Sequence, residues 1–265
     1  MNDFIRVACP KELHFLQPVV VEDLERVGNL ADGGYVMTLP VITNIDSLLS
    51  LGLGENWSFE STFSQINRSA RIEIYDNTVS LSFFVRKSLN GVVNLLLFRE
   101  SGASVKARFS RLSNYFSFWY RNPRNKHHQV RISRETFDQA LSRIPTDSVV
   151  GLKIDIEGSE WEILEQIVKH QSRFGFILIE IHDFDLHVQQ LKNFLDQLSG
   201  RLVLSHLHAN NFEGLGKNGF PRVFEITLLR DPAIRTPREY RKELPLDGMD
   251  TPNAKNRPDF VISFN

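Results

Sequence analysis

Cysteine is nearly absent: Cys9 is the only one in 265 residues. No internal disulfide can form, and no zinc site built on cysteine pairs is available. A reducing, cytoplasmic setting fits that composition. Long apolar runs are missing too; none approaches the roughly 18 residues that span a bilayer. The opening stretch MNDFIRVACPKELHF has no basic start followed by an apolar segment, so no signal peptide is expected. Charge of one sign is not in excess. The net charge of −1 creates no broad field for a polyanion, and no nucleic-acid partner is expected. Internal repeats, low-complexity tracts and a full GxGxxG fingerprint are absent as well.

What remains is 42% hydrophobic and 24% charged residues, enough apolar material for a sizeable core. Four runs read as strands buried on both faces: 45–54, 70–77, 149–158 and 174–183. Helical patterns follow at 56–67, 159–172 and 185–200, the last stopping at Gly200. Such alternation predicts a doubly wound α/β fold with a mostly parallel sheet. The stretches 201–211 and 221–230 read as a C-terminal antiparallel strand pair. The expectation is one domain over 1–265, with an N-terminal extension at about 1–44. A helical insert or lid is expected at about 79–128. The proline-bearing tail at about 231–265 reads as mostly extended or loop.

LLSLGLGENWSFE places Gly52 and Gly54 at the end of the first of these strands, just before a helix. Small residues there let backbone approach a ligand, although many strand-to-helix turns carry glycine for shape alone. The next strand ends at Asp76, where an acid can accept hydrogen bonds from both ribose hydroxyls. Together they point to an adenosine-type ligand. A pyrophosphate prefers a bare, positive helix N-terminus, and Glu55 would repel it. S-adenosylmethionine (SAM) carries no phosphate, and its ammonium and sulfonium are cationic. An acid-rich mouth therefore suits SAM better than NAD(P).

LKIDIEGSEWEIL, residues 152–164, resembles the signature of FkbM-type SAM-dependent methyltransferases. That signature runs lysine, apolar, acid, apolar, then Glu-Gly and a helix; Lys153, Asp155, Glu157, Gly158 and Glu160 match it. LGLGENWSFE corresponds to the SAM loop, EIYDNT to the ribose strand and ILIEIHDF to the next strand. RVGNLADGGYVM resembles an Asp-Gly-Gly-Tyr segment ahead of that loop, and LSHLHANNF with PRVFEITLL the final strand pair. The likeness covers about 26–230; the insert 79–128 departs from it and leaves adenine contacts unassigned. The resemblance implies a class I methyltransferase fold, SAM as donor and a hydroxyl of a sugar or natural product as acceptor. Surface polysaccharide or lipopolysaccharide assembly would be the setting. By the same resemblance Gly52, Gly54 and Glu55 form the cofactor loop, and Asp76 holds the ribose with Asn77 beside it. Asp155 lies near the methionine ammonium or the reacting centre. Asp32, Gly33, Gly34 and Tyr35 close over the cofactor.

Methyl transfer is an in-line displacement, and a sugar hydroxyl needs a base or a metal to lose its proton. The candidates cluster at predicted strand ends. Asp155 and Glu157 end one strand, His182 and Asp183 the next, and His206, His208, Asn210 and Asn211 the one after. Alternation puts His206 and His208 on one face; a satisfied, partly buried pair is the bland alternative. His182 is the preferred base, His208 the next, and Asp155 the third catalytic candidate. Glu157, Asp183, Asn210 and Asn211 are candidates for holding the acceptor, a saccharide or glycoconjugate. A divalent ion on Asp155, His182 and His208 is a lesser alternative, since the spacing matches no recognised metal motif. Glu160 and Glu162 read as a solvated helix start, and Glu225 with Thr227 as a strand cross-link. The aromatic and basic stretch 108–128 reads as a lid helix, or as a surface for an anionic saccharide. An NAD(P)-dependent oxidoreductase and a non-catalytic Rossmann-like binding module are the competing functions. The broken glycine fingerprint and Glu55 weigh against the first, and the acids at the strand ends against the second.

Overall fold

The computed structural model describes residues 4–30, 32–230 and 238–265. The chain opens with β1 (Phe4–Ala8), the hairpin strands β2 (Leu24–Gly28) and β3 (Gly34–Thr38), and the short helix α1 (Leu39–Thr43). The four apolar runs then form β4 (Ser47–Leu51), β5 (Arg71–Tyr75), β7 (Val150–Ile154) and β8 (Phe174–Ile181). Every residue of β4, β7 and β8 is buried, as expected of strands covered on both faces. Each strand stops short of its apolar run because the last residues leave the sheet to build a cavity. Between them lie α2 (Ser58–Ile66), α3 (Leu81–Leu96), α4 (Gly102–Tyr120), the strand β6 (Asn125–His128) and α5 (Arg134–Ser142). The helices α6 (Leu164–Lys169) and α7 (Phe184–Leu198) follow β7 and β8, and β9 (Leu202–Ala209) and β10 (Phe224–Arg230) complete the main sheet.

The seven-stranded order is β6-β5-β4-β7-β8-β10-β9. All its pairings are parallel except those of β10, which runs antiparallel to both β8 and β9. Chain order reverses at β4, so a crevice opens there at the carboxyl ends of the strands. One layer behind the sheet holds Phe63 of α2 against Phe176 of β8, with Phe59 packed on Phe63. Burying each such ring contributes about 1.5–3 kcal/mol.

Two expectations change and a third gains detail. The stretch 79–128 is not wholly an insert: its last four residues are the edge strand β6, and the helical part is the α3–α4 pair. The helix expected at 159–172 shrinks to α6, preceded by a 3-10 turn at Glu160–Glu162. That turn is tied sideways to β8, because Glu160 accepts from His182 and Trp161 Nε1 donates to the His182 carbonyl at 3.0 Å. The tail, expected to be mostly extended or loop, pairs its extended parts into a sheet. Residues 231–237, with Pro232 and Pro237, lie outside the described residues, but β11 (Glu243–Leu244) and β12 (Asp259–Ser263) form a second sheet with β1, in the order β1-β12-β11. The tail also reaches the main sheet, where Asp250 pairs with His206 at 3.0 Å and Asn253 donates to Glu225 at 3.2 Å.

Candidate active site

The ends of β4, β5, β7 and β8 converge on a cavity of about 590 Å³. Asp32 and Gly33 of the β2–β3 hairpin line its edge. Gly52, the first residue past β4, has φ +87°, and a Cβ there would stand 1.6 Å from the Asp155 carbonyl oxygen. Glycine is therefore required by the close approach of the β4 and β7 ends. Gly54 differs. Its φ is +53°, and a Cβ would meet nothing within 4 Å, so its absence leaves room above the loop.

Asp76 fastens that loop. Its Oδ2 accepts from the backbone N–H groups of Leu53 at 2.7 Å and Gly54 at 2.9 Å, while Oδ1 accepts from Thr78 N at 2.5 Å and Thr78 Oγ1 at 2.6 Å. These donors outweigh the cost of burial and hold the Asp76 carboxyl below its ordinary range. Its lone pairs are thus engaged by protein, which is a different task from accepting ribose hydroxyls. Asn77 and Thr78 line the cavity next to it.

Among the described residues, eight carboxylates line the cavity, those of Asp32, Glu55, Glu60, Asp76, Asp155, Glu157, Glu180 and Glu213, against Lys153, Arg131 and His182. Lys153 organises the deepest of them. It is buried, donates to the Gly52 carbonyl at 3.2 Å, and lies 3.7 Å from both Glu60 and Asp155. Burial opposes its charge, but Glu60, Asp155 and Glu180 more than compensate, and its pKa rises. Glu60 accepts from Ser50 Oγ at 2.6 Å through Oε1, while Oε2 is buried with no partner. A carboxylate oxygen left without a donor at a cavity wall fits a cationic ligand. Glu180 stands one strand over and accepts from Asn210 Nδ2 at 2.7 Å. Burial, reinforced by Asp155 and Glu225, pushes its carboxyl well above the ordinary carboxylate range.

His182 occupies the rim. Its Nδ1 lies 3.1 Å from Glu160 Oε1, and its Nε2 lies 3.5 Å from Glu157 Oε2. Glu160 is fully buried and also accepts from the His182 backbone N–H at 2.8 Å and from Gly158 N at 2.9 Å. This carboxylate fixes the ring with Nδ1–H inward and Nε2 outward. Burial disfavours the imidazolium, but Glu160, Glu180 and Glu157 overcome that and push the His182 pKa up to about 9. Glu157 and Asp183, both non-glycine, adopt φ of +51° and +47° at these two strand ends. Left-handed backbone at bulky residues is costly and concentrates at functional sites. Asp155, Glu157 and His182 also bring one ligand atom each within 4.8 Å of one another, a set of donors a divalent ion accepts.

The structure moves other candidates away from the cavity. His208 is buried with its ring nitrogens 3.8 Å from Glu225 and 3.9 Å from Asp259, so it belongs to the tail contact and is neither base nor metal ligand here. The metal-capable set therefore substitutes Glu157 for His208. Asn211 donates to the Ala254 carbonyl at 3.0 Å and holds the tail, whereas Asp183 pairs with Arg222 outside the lining. Gly34 and Tyr35 lie behind the wall. Tyr35 is buried edge-on against Phe59, and Lys153 Nζ is 5.9 Å from its ring centre. Glu55 does line the mouth, but Lys87 and Arg111 pair with it and hold its carboxyl below the ordinary range against the effect of burial. Its expected repulsion of a pyrophosphate is therefore largely neutralised, and the deeper acids carry that argument instead. No residue between Val79 and Gln129 lines the cavity, so α3 and α4 flank the site without covering it.

Besides Lys153 and Thr78, three acids, Glu60, Glu160 and Glu180, were not singled out as site residues by the sequence pattern alone. One signal was present for each: an acid inside a stretch otherwise apolar or helical that must be buried. The Glu160 reading as a solvated helix start is overturned by its full burial.

A family model described as the Methyltransferase FkbM domain matches residues 43–206, well over half of the chain. The chain belongs to this family. The matched region runs from the end of α1 into β9 and contains every strand end around the cavity. The fold is accordingly that of a SAM-dependent class I methyltransferase, and the cavity's position at the switch point agrees with it. No curated protein matches the sequence. Among solved structures, a precorrin-6y C5,15-methyltransferase from Geobacter metallireducens is similar at 14% identity, over 72% of this chain and 85% of that one, with a TM-score of 0.39. An O-methyltransferase from Bacillus cereus in complex with SAH is similar at 11% identity, over 72% and 77%, with a TM-score of 0.41.

Proposed function

We propose that this FkbM-domain chain transfers a methyl group from SAM to a hydroxyl of a saccharide or glycoconjugate acceptor. The observation that carries the donor assignment is the unpartnered Glu60 Oε2 in a cavity wall rich in carboxylates. The residues fit the group. Gly54 leaves space for it, and Glu60, Asp155 and Glu180 surround its positive charge. Once bound, SAM supplies a methyl carbon already activated by sulfonium. Asn77 and Thr78, at the cavity wall, are placed to take hydroxyls that Asp76 no longer has lone pairs for.

For the acceptor, His182 is the proton-accepting group and Glu160 its positioning residue. Glu160 orients the ring and stabilises the imidazolium that forms, leaving Nε2 for the hydroxyl proton. At neutral pH the free site holds His182 protonated. A cationic donor in the cavity opposes that charge and drives the ring toward its neutral, basic form. Glu157 and Asn210 are the acceptor-binding residues this reading keeps. The sugar class and a role in surface polysaccharide or lipopolysaccharide assembly rest on the family resemblance.

Titration calorimetry with SAM, S-adenosylhomocysteine and NAD tests the donor, and radiolabelled methyl transfer to a panel of sugar acceptors tests the chemistry. Binding of both adenosyl compounds and label on a hydroxyl oxygen are expected. Binding of NAD alone, or label recovered on nitrogen or carbon, overturns the reading.

A further inference from the structure

We propose that the α3–α4 hairpin is a membrane-surface anchor that seats on a bilayer containing anionic lipid. The hairpin, residues 81–121, contains seven basic residues and one acid, Glu100, giving six net positive charges. The whole chain carries −1, so the rest of the molecule is net negative. Lys87 and Arg111 are occupied by Glu55, and Arg108 by Glu100. Arg86, Arg99, Lys106 and Arg121 are exposed and pair with no carboxylate among the described residues.

The same hairpin carries many of the exposed large apolar side chains among the described residues. Val85, Leu89 and Val93 recur every fourth residue along α3, Leu97 continues the spacing at its C-cap, and all four are exposed. At the tip Leu96 is 72% and Phe98 97% exposed. Scattered exposed leucines need no explanation, but a contiguous stripe ending in a bare aromatic does.

The tip backbone adds an independent observation. Phe98 N–H donates to the Leu95 carbonyl at 3.0 Å, and Arg99 N–H to the Asn94 carbonyl at 2.8 Å. This pairing closes a helix with a left-handed residue, a place that favours glycine. Here a phenylalanine takes it, at φ +56°. The sequence thus accepts local strain to hold an aromatic ring in the open.

Charge decides the occupant. A second copy docking through the same face would bring six positive charges against six. Nucleic acid would answer the charge but leave the leucine stripe and Phe98 without a partner. An anionic bilayer answers both: basic side chains meet headgroups, and the apolar tip enters the interface. Among the described residues no helix is long and apolar enough to cross a membrane, so the contact proposed is with a surface. Lys87 and Arg111 hold the hairpin to Glu55 at the cavity mouth, and α3 extends about 24 Å from its root. A bilayer-bound hairpin therefore sets the cavity mouth a short distance from the lipid surface.

Flotation with vesicles of phosphatidylcholine, alone or mixed with phosphatidylglycerol, tests this without cofactor or acceptor, so its failure is separate from failure of methyl transfer. The wild-type chain is expected to float with the mixed vesicles only and to be released by salt. Phe98→Gly removes the ring and relieves the left-handed strain, so it should melt no lower than wild type. It should bind mixed vesicles about tenfold to a hundredfold less well. The triple change Arg86→Gln, Arg99→Gln, Lys106→Gln should abolish the preference for anionic lipid. Wild-type protein that stays unbound, or variants that bind as wild type, overturns the proposal. So does a solution dimer that Phe98→Gly dissociates with no vesicle binding, or single-stranded RNA binding that Phe98→Gly leaves intact in place of vesicle binding.

Discussion

His182, half-buried, and His208, buried, both stand beside carboxylates at neighbouring parts of one sheet, and both titrate well above ordinary histidine, at about 9 and about 10. Their surroundings differ in one respect. His182 has a fixed inner partner, Glu160, and an outer nitrogen facing the exposed Glu157 carboxylate. Both nitrogens of His208 face buried acids, Glu225 and Asp259, inside the contact between main sheet and tail. Register explains the separation. Glu180 of β8 stands opposite Glu225 of β10, which stands opposite His208 of β9. One row of titratable groups thus crosses the sheet, with Glu180 in the cavity wall and His208 outside it. A raised histidine is poised for chemistry only where one nitrogen reaches space a ligand can occupy.

Replacing each histidine separates the two regions most sharply. His182→Ala should lower methyl transfer by about 10²- to 10⁴-fold while cofactor affinity by calorimetry stays near wild type; unchanged turnover removes His182 from the mechanism. Glu160→Gln tests the positioning role through a shifted pH profile rather than through cofactor binding. His208→Ala leaves two buried carboxylates without their cation and should cost about 3–5 kcal/mol of stability in denaturant unfolding. The folded fraction should keep its turnover number. A catalytic loss with full stability would reverse the assignments.

The pH response follows from the sign of the shifts. Both histidines are raised in the fold, so their pairs stabilise it fully below the unfolded value of about 6.5. That contribution is lost as pH rises through about 9 for His182 and about 10 for His208. Melting temperature should therefore fall from neutral to alkaline pH, less steeply in His208→Ala. Methyl transfer should rise over the same range, because a base must be neutral. A rate that falls from pH 7 upward contradicts His182 as base.

Smaller effects refine the cavity side. Glu60→Gln keeps the hydrogen bond from Ser50 but removes a negative charge, and SAM affinity should drop about tenfold. An unchanged affinity places the sulfonium or ammonium elsewhere. Exhaustive chelation should change nothing in turnover. If activity disappears and a divalent ion restores it, Asp155, Glu157 and His182 are ligands, and the hydroxyl proton leaves with metal assistance.

Much of this was legible in the sequence. Apolar runs marked the strands, because residues buried on both faces leave a continuous trace. Gly52, Gly54, Asp76, Asp155 and His182 were legible because each follows directly on such a run. Glu60 and Glu180 were harder: an acid within a helix or strand looks the same whether it is solvated or aimed into a cavity. The tail partners of His206, His208 and Asn211, namely Asp250, Asp259 and Ala254, lay beyond local reading, since the tail meets β9 only after the chain has passed through β10.

The chain's own order of residues determined the family, the parallel sheet and the ring of acids at its edge, since these depend on periodicity and on neighbours a few positions apart. Which histidine faces the cavity, which acids share Lys153 and which asparagine ties down the tail were decided only by tertiary structure. Those choices depend on strand register and on contacts between distant segments, and a one-residue change in register would exchange them.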